Sequence, residues 1–234
     1  MNIPIKLSIV IPCYNEVKTI SIIIKKIKEI SPYNNEIIVV DDFSNDGSRE
    51  LLNELFKNEI NTLVLNEKNF GKGYSVRKGI EKASGDIVLI QDADLEYDPS
   101  DYKKLVEPII NNRADVVYGS RFLGSSERRV LFYWHSLGNK ILTTMSNIFT
   151  NLNLTDMENC YKVFKSDLIK SVELVENRFG FEPEITAKIA KKKVRIFEVG
   201  VNYYGRSYKE GKKITWKDGF SAIWCILKYN LFSK

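Results

Sequence analysis

The sequence predicts an α/β domain, a mostly parallel sheet flanked by helices, and three observations carry that expectation. Short continuous apolar runs (Leu7 to Ile11, Ile37 to Val40, Thr62 to Leu65, and Ile87 into Gln91) have the length and hydrophobicity of strands buried on both faces. Each of the first three is followed by a segment whose apolar residues fall at helical spacing. Every junction from strand to helix carries a polar cluster. Strand and helix alternating at this interval mean right-handed βαβ units. A chain of 234 residues, 44% of them hydrophobic, can bury the core of one large domain with an appended extension.

Taken in order, Leu7–Ile11 runs through Pro12, Cys13, Tyr14, Asn15 and Glu16 into a helix with Ile20, Ile23, Ile24 and Ile27 on one face. The second strand ends in Asp41-Asp42, and a Ser44–Ser48 turn caps the helix carrying Leu51, Leu52 and Leu55. The third leads through Gly71-Lys72-Gly73 to a helix over 74–82. A fifth strand, Ala114 to Tyr118, ends in Gly119-Ser120-Arg121. Beyond it lies an amphipathic helix with Leu131, Trp134, Ile141, Leu142, Met145, Ile148 and Phe149. Burial against the sheet is the first reading of its apolar face, and partial insertion into a membrane interface is the alternative. Leu154 to Lys165 reads as a loop into a strand, with acids at Asp156 and Glu158, and Phe179–Ile185 opens a helix with Glu184 in its first turn, where the dipole favours a carboxylate. A strand over 194–201 leads to Tyr203-Tyr204-Gly205-Arg206 and a cationic loop, and a closing helix carries Phe220, Ile223, Trp224, Leu227 and Leu231.

The fourth strand releases four carboxylates, Asp92, Asp94, Glu96 and Asp98, at alternate positions. Period 2 starts Asp92 and Asp94 on one side, and past the strand end both can converge on one point. Like charges held that close repel unless a cation lies between them. Hard oxygen ligands suit Mg²⁺ or Mn²⁺, which binds through one or two carboxylates plus substrate phosphates. The plain reading is a solvated acidic loop capping the helix that Pro99 and Asp101 open. Ligands of open parallel sheets bind beyond the carboxyl ends of the strands, so the Pro12–Glu16, Asp41–Asp42, Gly71–Gly73 and Asp92–Asp94 segments can share one crevice.

Several classes are disfavoured. The sixth position of a G-x-G-x-x-G match at Gly71 is Val76, and the segment follows the third strand, so a tight turn explains it better than a dinucleotide site. No phosphate loop of the Walker type is present. His135 is the only histidine and has no second ligand at metal spacing, so it reads as structural or solvent-facing and a Ser-His-Asp triad is disfavoured. No basic stripe interleaved with aromatics suggests nucleic acid. Net charge is +5, with cations thickening after Arg121 and carboxylates before Asp98, a polarity that fits an anionic ligand on one side and a cation on the other. Cys13, Cys160 and Cys225 are widely spaced without a CxxC pair, as expected of reduced thiols in a cytoplasmic protein. The first residues have a strand pattern, and no apolar run approaches the roughly 20 residues that span a bilayer.

The ordered set Ile11–Glu16, Val39–Ser48, Gly71-Lys72-Gly73, Gly85-Asp86 and Asp92-Ala93-Asp94-Leu95 resembles a family-2 glycosyltransferase with the GT-A (Rossmann-like) fold. Within that family it is similar to the dolichol-phosphate mannose or glucose synthase branch, over about Leu7 to Gly219. The resemblance implies inverting transfer of a sugar from a GDP- or UDP-linked donor. Residues 1–118 would be the nucleotide-sugar half and 119–234 the acceptor half. Pro12, Tyr14, Glu16 and Asp42 would line the base and ribose pocket, with Asp41, Lys72 and Asp92 on the same crevice. Asp92 and Asp94 would hold the metal, with Glu96 as a third ligand. Arg121 and Arg206, with Lys212 or Lys213, match positions that contact phosphates. Asp94, Arg121, Arg206 and Asp156 are the residues expected to carry the reaction.

The acceptor turns on proton chemistry. A polyprenyl phosphate is already anionic at neutral pH, its second pKa being about 6. It needs cations and no general base, whereas a sugar hydroxyl needs a carboxylate within reach, here Asp156 or Glu158. Arg121, Arg128, Arg129, Arg206, Lys209, Lys212 and Lys213 favour the phosphate. The amphipathic segments would place the protein on the cytoplasmic face of the membrane. Transfer to a glycan hydroxyl, and a non-catalytic nucleotide-sugar module, are the alternatives.

Overall fold

The computed structural model describes residues 5–124, 129–130, 132–207, 210–211 and 216–232. The strands are β1 (Lys6–Cys13), β2 (Asn34–Asp41), β3 (Thr62–Leu65), β4 (Ile87–Ile90), β5 (Val116–Ser120), β6 (Lys162–Lys165) and β7 (Ile196–Gly200). The helices are α1 (Ile20–Ile30), α2 (Ser48–Phe56), α3 (Lys72–Lys82), α4 (Tyr102–Ile110), α5 (Tyr133–Thr150), α6 (Ser166–Lys170), α7 (Phe181–Lys191) and α8 (Trp216–Leu227). One sheet holds all seven strands in the order β3-β2-β1-β4-β6-β5-β7. β1, β2, β3 and β4 run parallel, as do β5 and β7, while β6 lies antiparallel between β4 and β5. The fold is therefore the expected α/β sheet, mostly parallel, with one reversed strand.

Three of the four continuous apolar runs are strands covered on both faces: Leu7, Ile9, Val10 and Ile11 are fully buried, as are Ile38, Val39 and Val88. β3 corrects the expectation: at the sheet edge it is only half-buried, and Leu65 is exposed. Of the six α1 isoleucines, the four expected on one face (Ile20, Ile23, Ile24 and Ile27) are buried in this core, and Ile22 and Ile30 are exposed. α3 lies against β1 so closely that a Cβ on Gly79 would meet Val10 Cγ1 at 2.2 Å. That contact admits only glycine without a shift. Asp98 caps the short 3-10 turn Pro99–Asp101, accepting from the Ser100 amide at 2.9 Å, but it is half-buried and paired to Lys26 at 3.0 Å and so is not the solvated group of the plain reading.

The chain departs from expectation at α5. Its fully buried positions are Thr143 and Ser146, and it packs on α7 and α8. Trp134 is 77% exposed, Ile148 73% and Ile141 56%, so burial of the apolar face against the sheet is overturned. Leu131 lies outside the described residues. α8 behaves likewise: Ala222, Cys225, Ile226 and Tyr229 are buried, and Phe220, Trp224, Leu231 and Phe232 face outward. The sequence pattern was amphipathic in both helices, but in α5 the face turned inward is the more polar one, and in the closing helix the apolar residues divide between an inward and an outward face.

At the opposite, amino edge, Glu36 of β2 receives the Lys6 ammonium at 2.9 Å, the Ser84 amide at 2.8 Å and the hydroxyls of Ser8 and Ser84. Burial pushes this carboxyl up, but those hydrogen bonds outweigh it and hold the pKa at about 2 instead of 4.5. The folded form is therefore favoured above the ordinary value, and that contribution is lost as pH falls from about 4.5 to about 2. Glu36→Gln should cost on the order of 2 kcal/mol at pH 7, with the deficit shrinking through that window in urea titrations. A deficit independent of pH would contradict the assignment.

Candidate active site

The strand order reverses at β1, whose neighbours β2 and β4 leave a crevice at their carboxyl ends. The expected polar clusters all meet there. β1 ends at Cys13, and Asn15 turns through positive φ (52°), held by its amide donating to Ser44 Oγ at 2.9 Å. Glu16 follows, 7% exposed, its amide on Ser48 Oγ at 3.0 Å and its carboxylate accepting from Thr19 Oγ1 at 2.8 Å. Pro12 sits within β1 opposite Val40, and Tyr14 is 36% exposed at the crevice edge.

Asp41 and Asp42 end β2, both buried. Asp42 organises the next loop: Oδ1 accepts from the Asn66 side chain at 2.8 Å and the Phe70 amide at 2.9 Å, and Oδ2 from the Gly71 amide at 2.7 Å. Asp41 accepts from the Ser44 amide and pairs with Arg49 at 3.3 Å, while its Oδ1 is buried without a partner. Gly71 has φ of +105°, and a Cβ there would lie 2.5 Å from the Asn177 carbonyl. The glycine pair thus serves a close approach to segment 176–178, as the turn reading expected.

That approach carries Lys72 to Asp92, 3.0 Å away, and to Glu182, also 3.0 Å away. Leu95 turns through positive φ (62°), which bends the chain after β4 and keeps Asp94 near Asp92. Asp94 is paired to Arg206 at 2.7 Å, and the same guanidinium reaches Glu16 at 3.1 Å. Burial pushes the Asp94 carboxyl up to about 7, with Asp92, Glu96 and Glu16 adding to the rise and Arg206 opposing it. Glu96 does not stand open beside the pair: Oε1 accepts from the Arg206 amide at 2.8 Å and Oε2 from the Tyr203 hydroxyl at 3.1 Å. Among the described residues no three His, Cys, Asp or Glu side chains form a metal-binding group. Glu96, expected as a third ligand, braces the 203–206 segment through both of its oxygens.

Arg121 and Asp156 come together as a bidentate pair, both contacts 2.7 Å, with Asn139 adding 2.9 Å on the carboxylate. Burial pushes the Asp156 carboxyl up, and Arg121 more than offsets it, leaving the pKa below its ordinary value. A carboxylate so held is a poor proton acceptor, which corrects the expectation of Asp156 as a base; it orients Arg121 instead. The Arg121 guanidinium also lies 5.2 Å from the Tyr203 ring. Lys209, Lys212, Lys213 and Arg128 fall outside the described residues.

Sequence reasoning missed Glu182, Gln91 and Lys162. Glu182, 3% exposed, links Lys72 to the start of α7, and its Oε2 is unpartnered. Gln91 accepts from the hydroxyls of Tyr102 (2.9 Å) and Tyr161 (2.7 Å), fixing the end of β4. Lys162, fully buried, donates to the Met157 and Asn159 carbonyls and so shapes the loop bearing Asp156 and Glu158. The signal for Glu182 was legible: a carboxylate inside the apolar stretch Phe181–Ile185 beside Pro183. Glu184, read as a dipole partner, does lie in the first turn, where it also caps the Val175 and Glu176 amides.

Comparison with known proteins agrees with this geometry. The chain is 29% identical over 216 residues to a dolichol-phosphate mannosyltransferase of Pyrococcus furiosus, covering 89% of this chain and 60% of that one. It is 28% identical to an undecaprenyl-phosphate 4-deoxy-4-formamido-L-arabinose transferase of Aeromonas hydrophila, covering 90% of this chain and 64% of the relative. It is 27% identical to an undecaprenyl-phosphate mannosyltransferase of Micrococcus luteus, covering 87% and 85%. The chain thus spans a little over three fifths of the length of the first two relatives. A crystal structure of glucosyl-3-phosphoglycerate synthase from Mycobacterium tuberculosis with Mn²⁺, UDP and glucosyl-3-phosphoglycerate superposes with a TM-score of 0.74 at 18% identity, over 97% of this chain and 80% of that one, so the two share the GT-A fold. The model described as glycosyl transferase family 2 matches residues 8–172, and this chain belongs to that family.

Proposed function

We propose that the chain moves a sugar from a nucleoside-diphosphate sugar to a polyprenyl phosphate, with inversion at the anomeric carbon. The observation that carries the reading is the polarity of the crevice. Paired carboxylates stand at the β1–β4 reversal, and Arg121, locked on Asp156, stands at the end of β5 with Tyr203 against it. Residues 1–118 would serve the donor and 119–234 the acceptor. Tyr14, Glu16 and Asp42, with Pro12 and Asp41, border the place for the nucleoside. Arg121 and Arg206 would hold the acceptor phosphate. Its oxyanion attacks the anomeric carbon from the face opposite the diphosphate, and the bond to the diphosphate oxygen breaks. No proton has to be removed from a phosphate anion, which agrees with an Asp156 already committed to Arg121.

Mg²⁺ or Mn²⁺ fits the residues present. The donors are hard carboxylate oxygens, Asp92 and Asp94, and the rise of Asp94 to about 7 marks more negative charge than its surroundings carry comfortably. When bound, such an ion stabilises charge on the departing diphosphate. The relatives named for undecaprenyl or dolichol phosphate support the acceptor class.

A second reading has one observation in its favour. Glu158 has a buried carboxyl oxygen without a hydrogen bond, and burial with Glu182 nearby pushes its pKa up to about 8. Such a group suits a base for a sugar hydroxyl.

Radiolabelled nucleotide-sugars incubated with the chain and native membranes should put label into an organic-extractable lipid. Asp92→Ala or Asp94→Ala should lower that transfer at least about 100-fold while thermal unfolding stays cooperative. Label confined to a water-soluble glycan would favour the hydroxyl reading, and undiminished transfer in both variants would remove the metal role.

The outward faces of α5 and α8 support contact with the membrane surface where such a lipid lies. Among the described residues no helix is long and apolar enough to cross a membrane. Tryptophan emission should shift to the blue on adding anionic vesicles, and Trp134→Ser with Trp224→Ser should weaken partitioning about tenfold or more. Equal partitioning of the variant would contradict this placement.

A further inference from the structure

Arg206 and Lys72 are the two cations on the paired aspartates, and they are held differently. Lys72 is gripped by Asp92 and also by Glu182, at 3.0 Å each, so it keeps an anchor if Asp92 changes partner. The ion pairs of Arg206, among the described residues, all go to the acidic cluster itself. Nη2 is 2.7 Å from Asp94 and 3.1 Å from Glu16, Nη1 is 3.2 Å from Glu16, and Nε stands 3.5 Å from Glu96. Nε is buried and makes no hydrogen bond, so even the ion pair to Glu96 leaves that donor unsatisfied.

A dication on Asp94 would face this guanidinium across one carboxylate. Arg206 holds Asp94 Oδ2, while Oδ1 accepts from the Glu96 amide at 3.1 Å. A dication on the same carboxylate would repel the guanidinium, and in a partly buried site that repulsion is only weakly screened. We infer that Arg206 is an internal counter-ion that a divalent cation displaces from Asp94, so that filling the donor end is what releases the guanidinium for an anionic acceptor. This rests on the metal role of Asp92 and Asp94 proposed above. The backbone need not travel. The Arg206 amide remains on Glu96 at 2.8 Å and the Tyr204 amide on the Glu96 carbonyl at 2.9 Å, so the side chain swings from a fixed root. That root is close to Arg121, whose guanidinium lies 5.2 Å from the Tyr203 ring. The two arginines that would bind the acceptor phosphate therefore come into use together only after the metal is in place. The donor binds first and the phosphate second.

The test is Mn²⁺ alone, titrated by electron paramagnetic resonance into the whole chain and into Arg206→Gln. The variant has no cation to expel and should bind Mn²⁺ about tenfold more tightly than the parent chain. Equal or weaker binding overturns the exchange. A measurement on the unaltered chain guards against a variant that fails to fold: the Arg206 Nε–H resonance should move as Mg²⁺ saturates the site, and a resonance that stays put overturns the exchange as well. Asp92→Asn and Asp94→Asn separate this idea from its premise. If Mn²⁺ binding survives both, the metal reading fails and the exchange with it. If binding needs the aspartates yet Arg206→Gln gains nothing, only the exchange fails.

Discussion

The carboxyl edge of this sheet carries more negative charge than its burial allows unless cations neutralise it. Glu16, Asp92, Asp94 and Glu96 arrive from two strand ends, and the cations that meet them, Lys72 and Arg206, come from α3 and from the segment after β7. Buried charges persist only when paired. The pairing therefore ties together the loops after β1, β3, β4 and β7, although more than a hundred residues separate some of them. Asp94 shows the tension most plainly, since its carboxyl is pushed up to about 7 despite an arginine at 2.7 Å. The dication proposed for this site would relieve that tension where another protein carboxylate would not.

The antiparallel β6 joins this donor edge to the other half of the crevice. It lies between β4 and β5, and the loop before it brings Asp156 to Arg121. Lys162, buried at the start of that strand, spends its ammonium on the carbonyls of Met157 and Asn159 and so holds the loop's shape. The result is a set of ion pairs from loops distant in sequence: Arg206 with Asp94, Lys72 with both Asp92 and Glu182, and Arg121 with Asp156. The transfer proposed above would need anion-holding groups at two ends of one cleft, and Arg206 and Arg121 would stand at those ends.

Much of this was legible in the chain because the relevant forces are local. Leu7–Ile11 and Ile37–Val40 read as buried strands since strands covered on both faces lack alternation, and their polar ends then had to meet at one edge. Asp92 and Asp94 were found because period 2 and a strand end place them together. What remained hidden depends on contacts distant in sequence. Nothing near Lys162 announces that its strand runs backwards, and Glu182 gains its meaning only when Gly71 and Gly73 let Lys72 approach. Asp156 looked like a free carboxylate until Arg121, from another strand, claimed both its oxygens. In α5 the stripe of Trp134, Ile141 and Ile148 was visible, but periodicity names a face without saying what covers it; Thr143 and Ser146 turned inward instead.

The proposed reaction requires Asp92 and Asp94 together to hold a divalent ion against a nucleotide diphosphate. Anomalous scattering from crystals grown with Mn²⁺ and UDP, and in parallel with Mn²⁺ and GDP, tests it most directly. The account predicts a manganese peak within coordination distance of both aspartates and of the diphosphate oxygens in at least one of the two. A nucleotide bound elsewhere, or a peak that neither aspartate touches, would contradict it.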